Sequence, residues 1–393
     1  MKFYIVGIDD DGQVAFPMEV GRLVLGHQVF SGGRRHYELM KDRLLPDSRW
    51  IFIEPPLERV FAEYEKEMEV VVFASGDPLF FGFAGTVKRR MPEADVEVYP
   101  YFSSLQMLAA RVQMPYEDMR MVSLTGRDWH ELDRALIERC GKIGVLTDGV
   151  HTPQAVAERM LAYGYSNYRM YVGEHLGGEQ ERVLIGRMEE AVGKECRMPN
   201  CLILEQREER KRPFGIPDDA LEHIEGRENM MTKMPVRLLA LSLLDLRERR
   251  CLWDIGFCTG AVSVEAKLQF PHLRVVGFER CEERRELLEA NCRTYGVPGI
   301  EVRMGDFTEV NLEGLESPDA VFIGGHGGKL PRMMELLAGR MQRGGVVVFN
   351  SVSAESLELF RASAQACGFV EGKACRLTVD VHNPITVVSV YLP

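Results

Sequence analysis

Short uninterrupted apolar runs, rich in Val, Ile and Phe, recur along the chain, and between them apolar residues return every three or four positions. Runs of the first kind predict strands buried on both faces; the second kind predicts amphipathic helices. In the first half, residues 3–8, 70–74, 143–147 and 201–205 read as strands. In the second half, residues 252–255, 274–278, 320–323 and 346–350 do the same, and residues 301–304 read as a further strand. Strands alternating with helices imply an α/β chain with mostly parallel sheets covered on both faces. Ligands of such sheets sit beyond the carboxyl ends of the strands, so chemistry is expected there. Near the middle, Arg207-Glu-Glu-Arg-Lys-Arg-Pro213 breaks the periodicity and reads as a solvated charged linker. The predicted division is residues 1–206, a linker at 207–214, and residues 215–393. The two halves share an alternation of elements but no internal repeat.

Local signals place several helix starts. In Ser75-Gly-Asp77-Pro78, Asp77 is placed as an N-cap and Pro78 as the first helical residue. Ser103 and Ser104 cap a helix over 105–112, and Thr152-Pro153 opens one over 154–163 that Gly164 ends. Taken alone, these are well-capped helices following strands.

The second half says more. Leu252-Trp-Asp254-Ile-Gly256-Phe-Cys258-Thr-Gly260 is a strand running into a tight turn, followed by a helix over 261–270. Gly256 and Gly260 let the backbone approach a ligand closely at a helix start. Asp254 lies two residues before the first glycine, where dinucleotide-binding turns keep an apolar residue. The next strand ends in Glu279, placed to accept ribose hydroxyls, and the third ends at Gly305-Asp306, where a carboxylate can accept from an adenine amine. Three carboxylates suit the cationic cofactor S-adenosylmethionine better than an anionic pyrophosphate. A nicotinamide-dependent oxidoreductase would want Gly-x-Gly-x-x-Gly, which is not the spacing of Gly256 and Gly260.

Composition narrows the classes. A length of 393 residues, 46% hydrophobic and 27% charged, suits two globular domains. The net charge of -11 argues against a nucleic-acid partner, which wants a basic face, but leaves room for an anionic small substrate in a local basic cleft. Nine cysteines without a Cys-x-x-Cys pair and nine dispersed histidines give neither a disulfide framework nor a metal site. Buried thiols in a reducing compartment are expected instead. No apolar run approaches the roughly 20 residues that span a bilayer. The apolar start of the chain is short and closed by Asp9-Asp10-Asp11, so neither a signal peptide nor a membrane anchor is expected, and the protein is expected to be cytoplasmic.

Longer motifs carry a family resemblance. Ala74-Ser-Gly-Asp-Pro-Leu-Phe-Phe-Gly82, Ser103-Ser104, Ala109-Ala-Arg111, Leu146-Thr-Asp-Gly149 and Leu176-Gly-Gly178 with Glu181 resemble the tetrapyrrole methylase family. That resemblance implies a two-subdomain fold with the cofactor folded between the subdomains, touched by Gly76, Asp77, Ser103 and Ser104, with Thr147 as a further contact. From residue 215 on, Met231-Thr-Lys233, the turn from Leu252 to Gly260, Ser263-Val-Glu265, Leu288-Glu-Ala-Asn291 and Asp319-Ala-Val-Phe-Ile-Gly-Gly-His-Gly-Gly328 resemble a Rossmann-like class I methyltransferase. More narrowly, this half resembles the C-terminal domain of the precorrin-6Y C-5,15-methyltransferase (decarboxylating) family of corrin biosynthesis. The implied cofactor contacts are Asp254, Gly256, Gly260, Glu279, Asp306 and Thr232. Gly324, Gly325 and His326 are implied to line the substrate cavity, with Gly325 and His326 as catalytic candidates, although His326 reads equally well as a hydrogen-bonded loop residue.

The reaction implied is methylation of precorrin-6B, or its cobalt form, at C-5 by the N-terminal domain and at C-15 by the C-terminal domain, the latter with decarboxylation of the C-12 acetate. A single-site methyltransferase whose first half only binds substrate or acts as a scaffold is the alternative. Both domain families commonly self-associate, so a homo-oligomer is expected. Substrate carboxylates would need basic side chains; Arg34-Arg35-His36, Lys88-Arg89-Arg90, Lys329 and Arg332 are candidates.

Four departures stand out. Cys258 replaces the family's middle glycine. Pro235 replaces a glutamate three residues after Thr232, so a helix opening at Thr232 would lack its capping-box carboxylate. Gly7-Ile-Asp-Asp-Asp-Gly12 replaces a Gly-x-Gly-Pro-Gly loop, and Thr125 stands where the family usually has His.

Overall fold

The computed structural model describes residues 1–393 except 10–15, 225, 227–229 and 380–383. Asp10, Asp11 and Gly12, part of the acidic loop noted above, therefore lie outside the described residues. The chain divides into two compact units. The first comprises Met1–Arg127, Gly141–Glu158 and Tyr168–Arg207; the second comprises Asp128–Cys140, Arg159–Asn167 and Glu208–Pro393.

The first unit holds two five-stranded sheets. One runs in the order Arg49–Phe52, Val29–Gly32, Glu69–Ser75, Lys2–Ile8, Asp95–Tyr99 and is parallel throughout. Its central strands send alternate residues into separate cores. Val70, Val72 and Ala74 join Phe3, Ile5 and Tyr64 on one face, while Val71 and Phe73 join Val6 and Phe30 on the other. Burial on both faces is why these strands read as unbroken apolar runs.

The other sheet runs Arg120–Ser123, Lys142–Leu146, Asn200–Gln206, Tyr168–Glu174, Arg182–Arg187. Only its first pair is parallel, and the remaining three are antiparallel, against the expectation of mostly parallel pairing. An apolar run encodes burial, not direction. The short connection over residues 175–181 is too brief for a crossover helix, so its two strands fold back on each other.

The second unit is built on one seven-stranded sheet, ordered Ile300–Met304, Arg274–Glu279, Cys251–Ile255, Ala320–Ile323, Val346–Ser351, Ile385–Tyr391, Val370–Leu377. The first five strands are parallel, and the last two run antiparallel to their neighbours. Trp253, Ile255, Val321 and Ile323 enter one core; Leu252, Ala320 and Phe322 enter the other. Strand order reverses between Cys251–Ile255 and Ala320–Ile323, which makes a crevice at their carboxyl ends in this Rossmann-like sheet.

Several local readings change. The segment after Arg207 is not simply solvated. Arg210 donates to the carbonyls of Tyr163, Gly164, Arg293 and Thr294, and Arg212 donates to those of Leu268 and Gln269. Main-chain carbonyls left over at helix ends take up the guanidinium donors that a charge count assigns to water. Asp77 is not a helix cap and Pro78 is not helical: the helix is Phe83–Arg90, with Gly82 at its N-cap. Asp77 instead accepts the Leu79 N–H (2.8 Å) in a turn, the kind of local bond that competes with helix formation.

The helix expected at Thr232 begins at Met234, with Lys233 at the cap and Pro235 in its first turn. Asp218, from upstream, accepts the Met234 N–H (2.9 Å) and so supplies a carboxylate at this helix start. Two starts agree with expectation. Ser103 caps Ser104–Arg111 in a box with Gln106, and Thr152 accepts from Ala155 ahead of Pro153–Ala162. The buried-thiol expectation holds for Cys201, Cys251, Cys258 and Cys292, whereas Cys375 is exposed. Among the described residues, no helix is long and apolar enough to cross a membrane.

Candidate functional site

The crevice of the second unit is a cavity of about 210 Å³. Its wall carries Gly256, Glu279, Asp306, Gly324, Gly325 and His326, gathered from the ends of four different strands. Gly256 has φ +75°, and a Cβ there would fall 2.9 Å from the Gly325 nitrogen. Two strand ends thus cross backbone to backbone, which only glycine permits. Gly325 itself faces open space, with nothing within 4 Å of where its Cβ would lie.

Glu279 is 3% exposed, and both its oxygens are engaged. Oε1 accepts the N–H groups of Arg280 (2.8 Å) and Cys281 (3.1 Å); Oε2 accepts the Cys258 N–H (3.0 Å) and Arg284 Nη1 (2.9 Å). Cys258, the residue in place of a family glycine, adopts φ +54° and is tied through its N–H to the acid at the next strand end. Asp306 accepts from the Thr308 N–H and hydroxyl and from Lys329 Nζ (2.8 Å). Lys329 first, then Thr308, hold its pKa down at about 2. Asp306 is charged at neutral pH in consequence.

His326 accepts the Gly328 N–H at Nδ1 (3.1 Å), which leaves the proton of its neutral ring on Nε2. The ring lies edge-on to Phe349 with centroids 5.8 Å apart. Burial pushes its pKa below the ordinary histidine value, so it is neutral at pH 7, and the unperturbed value near 6.5 does not apply.

Three further sequence candidates lie off the cavity wall. Asp254 is fully buried; its Oδ2 accepts the Ser263 hydroxyl (2.5 Å) and its Oδ1 has no hydrogen-bond partner. Burial pushes its pKa up to about 7. Gly260 is demanded by packing, since a Cβ would sit 2.1 Å from Leu288 Cδ1. Thr232 offers its carbonyl to Arg237 (2.9 Å). Sequence reasoning missed Met230, Phe278, Arg280, Arg284, Phe307 and Met333, which complete the wall. For the two arginines the signal was only their position one and five residues after Glu279, in a charged stretch that reads as a solvated helix start.

The first unit has its own cavity, of about 140 Å³, at the carboxyl ends of Lys2–Ile8 and Glu69–Ser75. Gly76 and Ser104 line it, together with Asp9, Arg35, Ser75, Met107, Asn200 and Cys201. Gly76 has φ +61°, and a Cβ there would come 3.1 Å from Ser103 Cα, so the turn rests on the start of the serine-capped helix. Ser103 is buried in its capping box. Asp77 lies in its turn, off the wall, and Thr147 stands behind the wall, donating to Asn200 (2.6 Å). Thr125 donates to the Thr147 carbonyl (3.1 Å).

Of the basic candidates, Arg34 pairs with Glu54, Arg90 with Glu58, Lys329 with Asp306 and Glu309, and Arg332 with Glu335. Arg35 and His36 converge on Ser75 at the cavity edge, at 2.5 and 2.9 Å.

Comparisons with known proteins bear on both units. Residues 40–192 match the family described as Tetrapyrrole (Corrin/Porphyrin) Methylases, and residues 225–393 match the Precorrin methyltransferase domain. The chain is 33% identical over 360 residues to the precorrin-6Y C(5,15)-methyltransferase (decarboxylating) of Sinorhizobium sp, covering 89% of this chain and 84% of that relative. It is 36% identical over 154 residues to the cobalt-precorrin-6B C(15)-methyltransferase (decarboxylating) of Salmonella typhimurium, covering 39% of this chain and 76% of that relative. A solved precorrin-6y C5,15-methyltransferase from Geobacter metallireducens aligns at 26% identity and a TM-score of 0.43, covering 46% of this chain and 98% of that one.

Proposed function

The chain belongs to the decarboxylating precorrin-6Y C(5,15)-methyltransferase family, S-adenosylmethionine-dependent enzymes, and from that premise we propose that its two units are two separate methylation sites for one tetrapyrrole. The second unit methylates C-15 of precorrin-6B or its cobalt form and removes CO2 from the C-12 acetate; the first unit methylates C-5. The observation that carries this reading is the second unit's crevice, where two carboxylates and a side-chain-free glycine crossing share one wall.

That wall fits the cofactor. Two acids suit a cation, and the Gly256 turn leaves room for close approach. Gly256, Glu279 and Asp306 would hold it here, and Gly76 and Ser104 in the first unit. Bound S-adenosylmethionine supplies a methyl group on a positive sulfonium. The acceptors are electron-rich bridge carbons, so methyl transfer needs alignment more than a nucleophile or base, and the residues act mainly by positioning.

Gly324 and Gly325 carry no side chain to hold a flat macrocycle away from the crevice. His326, neutral at pH 7, can donate from Nε2 to the acetate and orient it. Losing CO2 breaks the bond between the acetate methylene and its carboxyl carbon and sends that electron pair into the conjugated ring; a proton then returns to the carbon to make the methyl group, and desolvation favours the first step by disfavouring localised carboxylate charge.

Gly325→Val in the full chain tests the division of labour. The space beside Gly325 is open, so folding is expected to survive. Product analysis is expected to show C-5 methylation retained while C-15 methylation and CO2 release fall together. Equal loss at C-5 and C-15 with folding intact would contradict separate sites.

A further inference from the structure

The cations around the second unit's crevice are unequal. Arg284 is bound to Glu279, Lys329 to Asp306 and Glu309, and Arg332 to Glu335. Arg280 lines the crevice, is exposed, and has no acidic partner among the described residues. Its Nη1 lies 3.2 Å from where a Cβ of Gly327 would be, so the guanidinium rests against the glycine loop of residues 324–328. Gly327 has φ +53°, and its lack of a side chain is what lets the arginine lie there. Glu279 is matched by Arg284, and Asp306 shares Lys329 with Glu309, which leaves Arg280 as the cation on the wall without an acidic partner among the described residues. A guanidinium offers paired N–H donors whose geometry fits a carboxylate.

We propose that Arg280 is the anchor for a peripheral carboxylate of the acidic macrocycle at the second unit's site. This rests on the function proposed above. The carboxylate it holds is one the product keeps: an arginine on the departing acetate would stabilise the ionised group that has to be lost, and would oppose decarboxylation. Arg280 thus fixes how the ring lies over the glycine loop, while His326 is left to the acetate. Lys329 and Arg332, the basic residues that stand out in the sequence around this loop, are not the anchors, because their charges are already spent on neighbouring acids.

The test uses the full-length chain with Arg280→Gln and Arg280→Lys, precorrin-6B as the tetrapyrrole and S-adenosylmethionine as donor. Arg280→Gln is expected to raise the KM for the tetrapyrrole in C-15 methylation by roughly tenfold, the scale of one charge-assisted hydrogen bond. The KM for S-adenosylmethionine, the rate of C-5 methylation and the ratio of CO2 released to C-15 methyl gained are expected to stay unchanged. The wild-type KM is expected to rise with ionic strength and the Gln variant's to respond less, with Lys restoring part of the loss. An unchanged tetrapyrrole KM in the Gln variant overturns the proposal, as does a loss confined to S-adenosylmethionine binding or a shifted CO2-to-methyl ratio. Failure of the wild-type chain to methylate C-15 would instead overturn the function on which the proposal rests, so the two failures are distinct.

Discussion

Replacing Arg284 with Met is expected to tighten S-adenosylmethionine binding in the second unit, although it removes a residue from the cavity wall. An ionised carboxylate has about four lone-pair directions, and Glu279 uses all of them. Three of its donors are main-chain N–H groups fixed by the turns that follow the neighbouring strands Arg274–Glu279 and Cys251–Ile255. The fourth, Arg284 Nη1, is the only one that can leave. In the proposed binding mode a ribose hydroxyl gains Glu279 by taking the place of that guanidinium. A hydrogen bond between charged groups contributes about 1.5–3 kcal/mol, and a released guanidinium recovers much of that from water, since Arg284 is partly exposed. A net competition of about 1 kcal/mol remains, which is roughly fivefold in affinity. Met keeps the apolar stem and removes the donors. The readout is the KM for S-adenosylmethionine in C-15 methylation, with C-5 methylation by the same chain as the internal reference. Weaker cofactor use at C-15, with an unchanged melting temperature, would refute the reasoning and make Arg284 a cofactor contact rather than a competitor.

Other outcomes follow from named contacts. Gly260→Ala places a methyl group against Leu288 at a positive φ and is expected to cost about 1–3 kcal/mol in chemical denaturation; a neutral result would mean that the turn is not held by this packing. Asp254 has a folded pKa raised to about 7, so the native state holds its proton more tightly than the unfolded chain does. Its stabilising contribution is complete below about pH 4 and is lost as the pH rises through about 7. Melting curves of Asp254→Asn against wild type are expected to converge toward low pH on that basis and to change their difference only within that window; a pH-independent difference would show that the carboxyl titrates normally. Asp77→Ala loses one turn hydrogen bond and is expected to impair C-5 methylation while C-15 methylation continues, with melting temperature measured alongside product; a parallel loss at both carbons would contradict the assignment.

The parallel part of the second unit's sheet was legible mainly because burial on both faces wrote itself into unbroken runs such as Ala320–Ile323, whose bounds match expectation residue for residue, whereas the antiparallel strands Val370–Leu377 and Ile385–Tyr391 were not among the expected ones. Gly256 and Glu279 were legible for a related reason, as a small and a polar residue at the ends of such runs, whereas Asp306 follows the mixed strand Ile300–Met304 and Gly325 and His326 came from the family resemblance. Direction was not legible in the strand Asn200–Gln206, because antiparallel and parallel strands bury the same side chains and only connection length separates them. Asp77-Pro78 misled because an Asp side chain accepts from main-chain N–H groups equally well in a turn and at a helix cap. Arg210 and Arg212 read as solvated because a charge run shows no carbonyls; those acceptors come from residues far away in sequence. Arg280 and Arg284 were missed for the same reason, since whether an arginine near a strand end meets an acid or stays unpaired is decided by neighbours the sequence does not display. Gly260 and Asp254 belonged to the recognisable turn, yet they face Leu288 and Ser263 rather than the cavity.

The central claim is that one polypeptide performs both methyl transfers and the decarboxylation. Incubating the full chain with precorrin-6B and S-adenosylmethionine labelled at its methyl group, then resolving the product by mass spectrometry and NMR, tests it most directly. The account predicts labelled methyl groups at C-5 and at C-15 of the same macrocycle, with the C-12 acetate converted to an unlabelled methyl group by loss of CO2 and gain of a proton. A product labelled at C-15 alone, from a folded chain supplied with excess cofactor, would contradict it and leave the first unit without a catalytic role.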